Sequence, residues 1–300
     1  MKLNELVLEI PGFEQFITEI KPETQSLLTG MGSEVTPLVL QTLLDEKQAP
    51  VLVVVENEAK VEQLTNQLAG ILGEDKIYTF PIDPMLATQN AFSSPDELAQ
   101  RISTLNFLLS GKTGVILVTP QALQYQLSQP AKFAAHKLEF EVGQEYQFSE
   151  LNSWLVQTGY VKEQLVVKPG EFAIRGDIVD IYPLNSAAAL RFEFFGDELD
   201  SIKEFDIATQ KSTNTLTKVA VLPALDRVYD YAKFPAIATT IQQKVAKNQQ
   251  KLNEEGLGQL LQQLEKTLIA LNEQQLPEYR NMWNEYLLED PASLLDYFSA

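Results

Sequence analysis

The spacing of hydrophobic and polar residues in the first part of the chain predicts strands and helices in alternation. The predicted strands are Gln25–Leu28, Val51–Val55, Lys76–Phe80 and Val115–Thr119. The predicted helices are Pro37–Glu46, Ala59–Leu72 and Pro95–Leu109. Because the run Val51–Val55 is apolar at every position, we expect a parallel strand that is buried on both faces. This part is therefore predicted to be a doubly wound α/β unit that ends near Pro130.

The helix predicted from Pro95 to Leu109 has the clearest start signal. Ser94 can cap it, Pro95 suits the first helical position, and Glu97 completes a capping box. Apolar residues at helical spacing predict one buried stripe on this helix. The stripe consists of Leu98, Ile102, Leu105 and Leu109.

The pattern changes twice further along the chain. From His136 to Ala224 it predicts short strands, aromatic residues and turns, with one helix near Phe148–Thr158 that Gly159 would end. After Pro235 helical periodicity runs through Ile269. The last predicted features are a break at Pro277, a short helix around Trp283 and a final helix opened by Asp290–Pro291.

The stretch Pro169–Asp206 places unusual side chains on the polar face of a predicted sheet. Successive side chains of a strand leave opposite faces, so Leu190, Phe192 and Phe194 form the inner face of one strand. The outer face then carries Arg191, Glu193 and Phe195. In the preceding strand the same rule puts Phe172 and Ile174 inside, and Ala173 and Arg175 outside.

An outward phenylalanine beside two arginines is typical of an interface anchor. The stretch has nine acidic and three basic residues, so both arginines stand against the local charge. The alternative is that Phe195 packs under a loop and that Arg175 and Arg191 pair with neighbouring carboxylates. Alternation alone leaves both interpretations open.

Size and charge narrow the possible functions. The chain has 300 residues, enough for about two domains. Lys and Arg number 23 against 41 Asp and Glu, which gives a formal net charge of −18. Strong DNA binding needs cations that neutralise phosphates, so a protein partner fits this chain better than DNA does.

Composition also limits the chemistry. The chain has no cysteine and one histidine, His136, so we expect neither a thiolate nor a multi-histidine metal site. No apolar run approaches the ~20 residues that cross a bilayer, and no secretory signal opens the chain, so we expect a cytoplasmic protein. Neighbouring carboxylates such as Asp96 and Glu97 are interpreted as helix caps rather than acid–base catalysts.

A segment after the first predicted strand nearly matches a phosphate-binding loop, G-x-x-x-x-G-K-[ST]. Aligned on Thr36, the lysine position holds Val35. The two glycine positions hold Thr29 and Glu34, with Gly32 between them. Each such change in charge alters a phosphate contact by about 4 kcal/mol at ~4 Å and an effective dielectric constant of ~20. We therefore predict a degenerate loop that binds no nucleotide and no other cofactor.

At this point the residues match a known family. The run Gly170–Pro183, followed by Arg191–Glu198 and Phe205–Gln210, closely resembles the second domain of bacterial UvrB and of the transcription-repair coupling factors, the Mfd family. The degenerate loop and the segment Phe80–Leu105 resemble the N-terminal UvrB-homology module of the Mfd family more than UvrB, whose phosphate loop is intact. The resemblance covers essentially the whole chain and is weakest from Pro235 onward.

The resemblance implies an architecture. It consists of a helicase-like parallel-sheet domain with a degenerate P-loop, an inserted mixed α+β domain, and a C-terminal helical return segment. The implied domains are residues 1–135, 136–224 and 225–300. Members of the family are far longer, so we expect an N-terminal fragment that stops before its first domain closes.

The resemblance also implies a function, a non-catalytic adaptor in transcription-coupled nucleotide excision repair. The second domain of the family recruits UvrA, and the family's contact positions fall on Arg175, Arg191 and Phe195. In a full-length member, other domains bind RNA polymerase and DNA, and one of them carries the motor ATPase. The alternative is an ATP-dependent, helicase-like repair protein of the UvrB type, because Thr36 of the loop is retained. A purely structural restraint on a motor domain also stays open.

Overall fold

A computed structural model describes residues 7, 9–21, 24–30, 32, 34–82, 94–248 and 254–299. The first elements are helices and strands in alternation, as predicted. They are α1 (Phe13–Glu19), α2 (Thr36–Lys47), β1 (Val51–Val54), α3 (Glu58–Leu72), β2 (Ile77–Thr79), α4 (Pro95–Leu108) and β3 (Val115–Val118). The strand predicted at Gln25–Leu28 is wrong. These residues have no regular structure, and Leu27 is 86% exposed because only Leu28 reaches a hydrophobic cluster.

The first sheet is parallel, with the strand order β1-β3-β2. The central strand β3 is buried at every position. Strand β1 was expected to be buried on both faces, but it lies at the edge of the described sheet, and Val54 is 45% exposed. The apolar run identified a parallel strand correctly, and its place in the strand order decided its burial.

Helices cover both faces of strand β3. On one face Ile116 and Val118 pack with Ile102 and Leu105 of α4. On the other face Val115 and Leu117 pack with residues of α2 and α3. The predicted capping box of α4 is confirmed, since Ser94 and Glu97 exchange hydrogen bonds between their side chains and backbone N–H groups.

The middle of the chain forms a second, mixed sheet. Its elements follow in order. They are α5 (Pro120–Gln124), α6 (Pro130–Ala135), β4 (Leu138–Glu141), α7 (Phe148–Gln157), β5 (Val161–Lys162), β6 (Glu171–Arg175), β7 (Ile178–Ile181), β8 (Ala189–Phe195), β9 (Glu198–Phe205), β10 (Ser212–Leu216) and β11 (Lys218–Val221). The sheet has the order β10-β9-β8-β7-β6-β5, with antiparallel neighbours except for the parallel pair β5 and β6.

One face of this sheet packs against helix α7 and against the separate antiparallel pair of β4 and β11. Leu151 and Leu155 of α7 meet Phe172 and Phe192 of the sheet in this core. The helix predicted near Phe148–Thr158 is confirmed. Gly159 follows it with a φ of +94°, and a Cβ there would lie 2.4 Å from Cγ of Leu225, so only glycine fits.

The last part of the chain is helical and returns to the first sheet. Its helices are α8 (Phe234–Asn248), α9 (Glu254–Asn272) and α10 (Asn284–Leu287). The final helix predicted from Asp290–Pro291 is instead a short 3-10 helix, Leu294–Phe298, which places Leu294 and Tyr297 on one side at the i, i+3 spacing of that helix. Both are buried in the core of the first sheet, where the Tyr297 hydroxyl donates to the Ser128 carbonyl at 2.9 Å. Within the described residues, no helix is long and apolar enough to span a membrane.

A buried ion pair fastens the chain where it leaves the second sheet. Asp226 accepts hydrogen bonds from Nε of Arg101 at 2.6 Å and from the Tyr125 hydroxyl at 3.0 Å. The Arg227 guanidinium lies 3.9 Å from the centre of the Tyr125 ring and donates to the Gln126 carbonyl. Burial alone would raise the pKa of Asp226, but the two guanidinium charges and these hydrogen bonds lower it below its ordinary value.

Replacing Asp226 by Asn should destabilise the fold by about 3–5 kcal/mol, because Arg101 would keep a buried charge without its counter-ion. A carboxyl with a lowered pKa stabilises the folded state above its ordinary pKa of about 4 and loses that contribution as the pH falls. Acid should therefore weaken the unmodified chain more than Asp226→Asn. Urea unfolding between pH 3 and pH 7 measures both effects.

The control is Glu139→Gln, which removes an exposed pair with Lys218 and should leave the unfolding midpoint almost unchanged. Equal losses for the two variants would contradict the assigned role of Asp226.

Candidate partner-binding surface

Phe195 is the exposed end of strand β8. Leu190, Phe192 and Phe194 are buried, with exposed fractions of 2%, 0% and 6%, whereas Phe195 is 84% exposed. The predicted alternation along this strand is confirmed, and Phe195 does not pack under a loop. A phenyl ring this exposed leaves apolar area free for a partner.

The tip that carries Phe195 is held rigidly. The turn to β9 begins at Gly196, whose φ of +65° suits glycine. The backbone N–H of Tyr146 donates to the Asp197 carbonyl at 2.7 Å. The Tyr146 ring also packs edge-on against Phe194, with 6.4 Å between the ring centres. Phe195 is therefore presented from a fixed backbone.

Arg175 ends strand β6 beside the same tip. The following turn is tied to β8 by a 2.8 Å hydrogen bond from the Phe194 N–H to the Asp177 carbonyl. The Arg175 side chain is 42% exposed, and its Nη2 donates to Oδ2 of Asp180. Arg175 thus reaches the surface while one of its nitrogens is anchored.

Arg191 is held more deeply. Its Nε and Nη2 donate to the two oxygens of Asp180 at 2.7 and 2.9 Å, and its Nη1 donates to the Gln210 carbonyl at 3.2 Å. The guanidinium lies 4.7 Å from the centre of the Phe205 ring, and the side chain is only 14% exposed. The hydrogen bonds to Asp180 raise the pKa of Arg191 above its ordinary value.

Asp180 is therefore shared by both arginines, and its side chain is completely buried. The sequence analysis left the pairing of these arginines with a carboxylate open, and the structure contains that pairing. It did not identify Asp180. The signal was available, because Asp180 is the one charged residue in the run Ile178–Ile181 and lies directly opposite Arg191 in the antiparallel register.

The prediction that Ala173 lies outside is wrong. Ala173 is on the face opposite to Phe172, but it is only 1% exposed. A small cluster covers this end of the outer face and contains Val166, Ala189 and Phe205. The alternation is correct, and the burial differs because the segment around Val166 packs over the sheet.

A second ion pair lies on the outer face next to Arg191. Nζ of Lys203 and Oγ of Ser201 donate to the same oxygen of Glu193, at 2.5 and 2.7 Å. The hydrogen bond from Lys203 is the main cause of a lowered pKa for Glu193. Since this pair neutralises itself, the half-exposed guanidinium of Arg175 and the ring of Phe195 are the distinctive groups of this face.

The residues of the predicted loop lie at the start of helix α2. Thr36 is the first helical residue, and Val35 packs against a hydrophobic cluster that contains Phe13, Ile17 and Val39. The Glu34 carboxylate folds back over Gly32, such that a Cβ on that glycine would be 2.5 Å from Oε2. Thr29 is exposed.

Metal binding has no candidate cluster in the described part of the chain, where no three His, Asp or Glu side chains come together to hold an ion. The loop and the outer face of the second sheet are therefore the two places to compare with known proteins.

Residues 138–226 match the model of the UvrB interaction domain family. The chain is 28% identical to the transcription-repair-coupling factor of Bacillus subtilis strain 168 over 274 residues, which cover 91% of the chain and 23% of that relative. It is 24% identical to the transcription-repair-coupling factor of Staphylococcus aureus strain MRSA252 over 300 residues, which cover 99% of the chain and 25% of the relative. The chain thus spans about a quarter of the length of these curated relatives.

The second sheet and its covering elements are a UvrB interaction domain, joined to a parallel α/β unit. The chain belongs with the N-terminal UvrB-homology modules of the Mfd family, and the resemblance stated from the sequence is confirmed.

Replacing Phe195 by Ala should change the free energy of unfolding by less than about 0.5 kcal/mol, because the ring is 84% exposed. The matched control is Phe192→Ala on the inner face of the same strand, which should cost about 3–5 kcal/mol. Urea denaturation compares the two. A loss for Phe195→Ala close to that of the control would mean that the ring supports the fold instead of facing a partner.

Proposed function

We propose that this chain is a non-catalytic adaptor module that recruits UvrA through a surface built from Arg175, Arg191 and Phe195. One observation carries the proposal. A rigidly presented phenyl ring, 84% exposed, and a half-exposed guanidinium occupy one face of a domain that matches the UvrB interaction family. Aromatic and arginine side chains in such a setting are the residues that most often dominate binding energy.

The chemistry of the surface suggests how it would bind. Phe195 would enter an apolar pocket of UvrA and bury most of its ring. The guanidinium groups would meet acidic or carbonyl groups at the rim of that pocket. With the neighbouring Lys203 already paired to Glu193, the ring and the arginines are the groups left to distinguish one partner from another.

The wider role follows from the relatives, which are transcription-repair-coupling factors. In a longer protein of that kind, this module would bring nucleotide excision repair to stalled transcription. RNA polymerase and DNA would be bound by other domains. Within the module, residues 1–135 and 225–300 would form a helicase-like domain around the inserted domain 136–224. The return of Leu294 and Tyr297 to the first sheet supports this division.

The module itself would have no enzymatic activity. Supporting observations come from the degenerate loop, where Val35 replaces the phosphate-binding lysine and packs into a hydrophobic cluster. Glu34 adds a negative charge directly over Gly32, where phosphate oxygens would need backbone N–H groups.

Phe195→Ala should weaken UvrA binding by at least about thirtyfold, which corresponds to about 2 kcal/mol at a hot spot. Isothermal titration calorimetry with purified UvrA measures this. Val161→Ala is the matched control, because Val161 is an exposed apolar residue at the far edge of the same sheet and should leave the affinity unchanged. Equal affinities for Phe195→Ala and the unmodified chain would refute the proposed surface.

Titration with ATP and Mg²⁺ should give no binding heat and no hydrolysis, because the loop has lost its lysine and gained Glu34. A Glu34→Gly, Val35→Lys double variant restores the missing glycine and lysine and serves as a comparison. Binding or hydrolysis by the unmodified chain would favour the helicase-like alternative.

A further inference from the structure

The docking surface contains a buried group with no assigned role, the carboxylate of Asp180. A buried carboxylate is costly unless hydrogen bonds and opposite charges compensate it. Here three donors from two arginines supply the compensation, namely Nε and Nη2 of Arg191 and Nη2 of Arg175. Asp180 thus holds both guanidinium groups at once.

The two arginines are held to different extents. Each of the three guanidinium nitrogens of Arg191 donates to an acceptor in the protein, the side chain is 14% exposed, and one face stacks on Phe205. Arg175 is 42% exposed, and Asp180 is its one hydrogen-bonding side-chain partner among the residues that the structure describes. The remaining N–H groups of Arg175 are the ones available to a partner.

We infer that Asp180 is a positioning residue, which orders Arg175 for docking, and that Arg191 acts by holding Asp180 and not by touching the partner. This inference rests on the proposed function. The cluster of two arginines and one aspartate has a net charge of +1, and Arg175 carries its exposed part. The partner is therefore expected to present one carboxylate beside the pocket that receives Phe195.

The register of the strands explains the arrangement. Asp180 lies directly opposite Arg191, while Arg175 pairs with Ile178, two residues before Asp180 on the same strand. Arg175 therefore reaches Asp180 along the diagonal of the sheet, within range of a long side chain. This diagonal reach keeps its guanidinium on the side of the sheet where Phe195 projects.

A double-mutant cycle with Asp180→Asn and Arg175→Ala tests the inference by calorimetry with UvrA. Without its carboxylate anchor, Arg175 has to be ordered at the moment of binding, so Asp180→Asn should weaken binding about threefold to tenfold. In the Arg175→Ala background the same change should have less than a twofold effect, because the residue acts through Arg175. Additive effects, or unchanged or tighter binding of folded Asp180→Asn, would overturn the inference.

Arg191→Lys is a second variant in case Asp180→Asn does not fold. Lysine keeps a cation near Asp180 but cannot bind it through two parallel hydrogen bonds. Its effect on affinity should also vanish in the Arg175→Ala background, whereas a direct contact of Arg191 would leave a loss in both backgrounds. Asp200→Asn, at an exposed carboxylate on β9, is the control and should change nothing.

Nuclear magnetic resonance of the free chain separates this inference from the proposed function. The Nε–H signals of Arg175 and Arg191 should show restricted motion that Asp180→Asn releases and Asp200→Asn does not. If the unmodified chain fails to bind UvrA, the proposed function fails while this ordering still holds. If the arginines are equally mobile with and without the Asp180 carboxylate, the positioning role is wrong.

Discussion

The ion pair between Asp226 and Arg101 is the interaction on which the arrangement of the chain depends. Asp226 is the last residue matched by the UvrB interaction family, and Arg101 lies 125 positions earlier on the helix that covers the first sheet. Neither charge could be buried alone, since an unpaired ion in the interior costs several kcal/mol. The pair therefore fixes where the chain leaves the second sheet and rejoins the first. Arg227 and Val228, the next residues, are buried against Tyr125 and Ser128.

The same chemistry recurs at Asp180 with a different result. Both aspartates are buried and both accept hydrogen bonds from an arginine on another element. Arg101 is 1% exposed, so all of its charge is used inside the fold. Asp180 has two arginines, and the second, Arg175, remains 42% exposed. A carboxylate with one guanidinium in excess stabilises the sheet and leaves a cation at the surface.

The sequence predicted the elements better than it predicted their burial. Helix α4 was predicted almost to the residue because Ser94, Pro95 and Glu97 are local signals whose geometry involves only near neighbours. The edge position of β1 depends on strand order, which no local pattern contains. Leu27 and Leu28 resemble the start of a strand, but a strand needs a neighbour to bond, and only Leu28 packs on a cluster.

The candidate site was predictable to a similar degree. Alternation placed Phe195 outside, and the structure agrees, because the period of a strand is a local property. The burial of Arg191 could not be predicted, since it requires Phe205 and Gln210 to be folded against it from later in the chain. Asp180 was recognisable only once the register was known, because its pairing with Arg191 spans two strands.

Charge limits how this surface can select a partner. A chain with a net charge of −18 attracts neither DNA nor an acidic protein from a distance. At physiological salt, however, charges more than about 8 Å apart are largely screened. At contact distance the balance is local, and around Asp180 it is one positive charge beside an exposed ring. DNA needs many cations along its backbone and cannot use a single one, whereas one carboxylate next to an apolar pocket can. The acidic remainder of the chain thus excludes polyanions without weakening a docking contact that depends on two side chains.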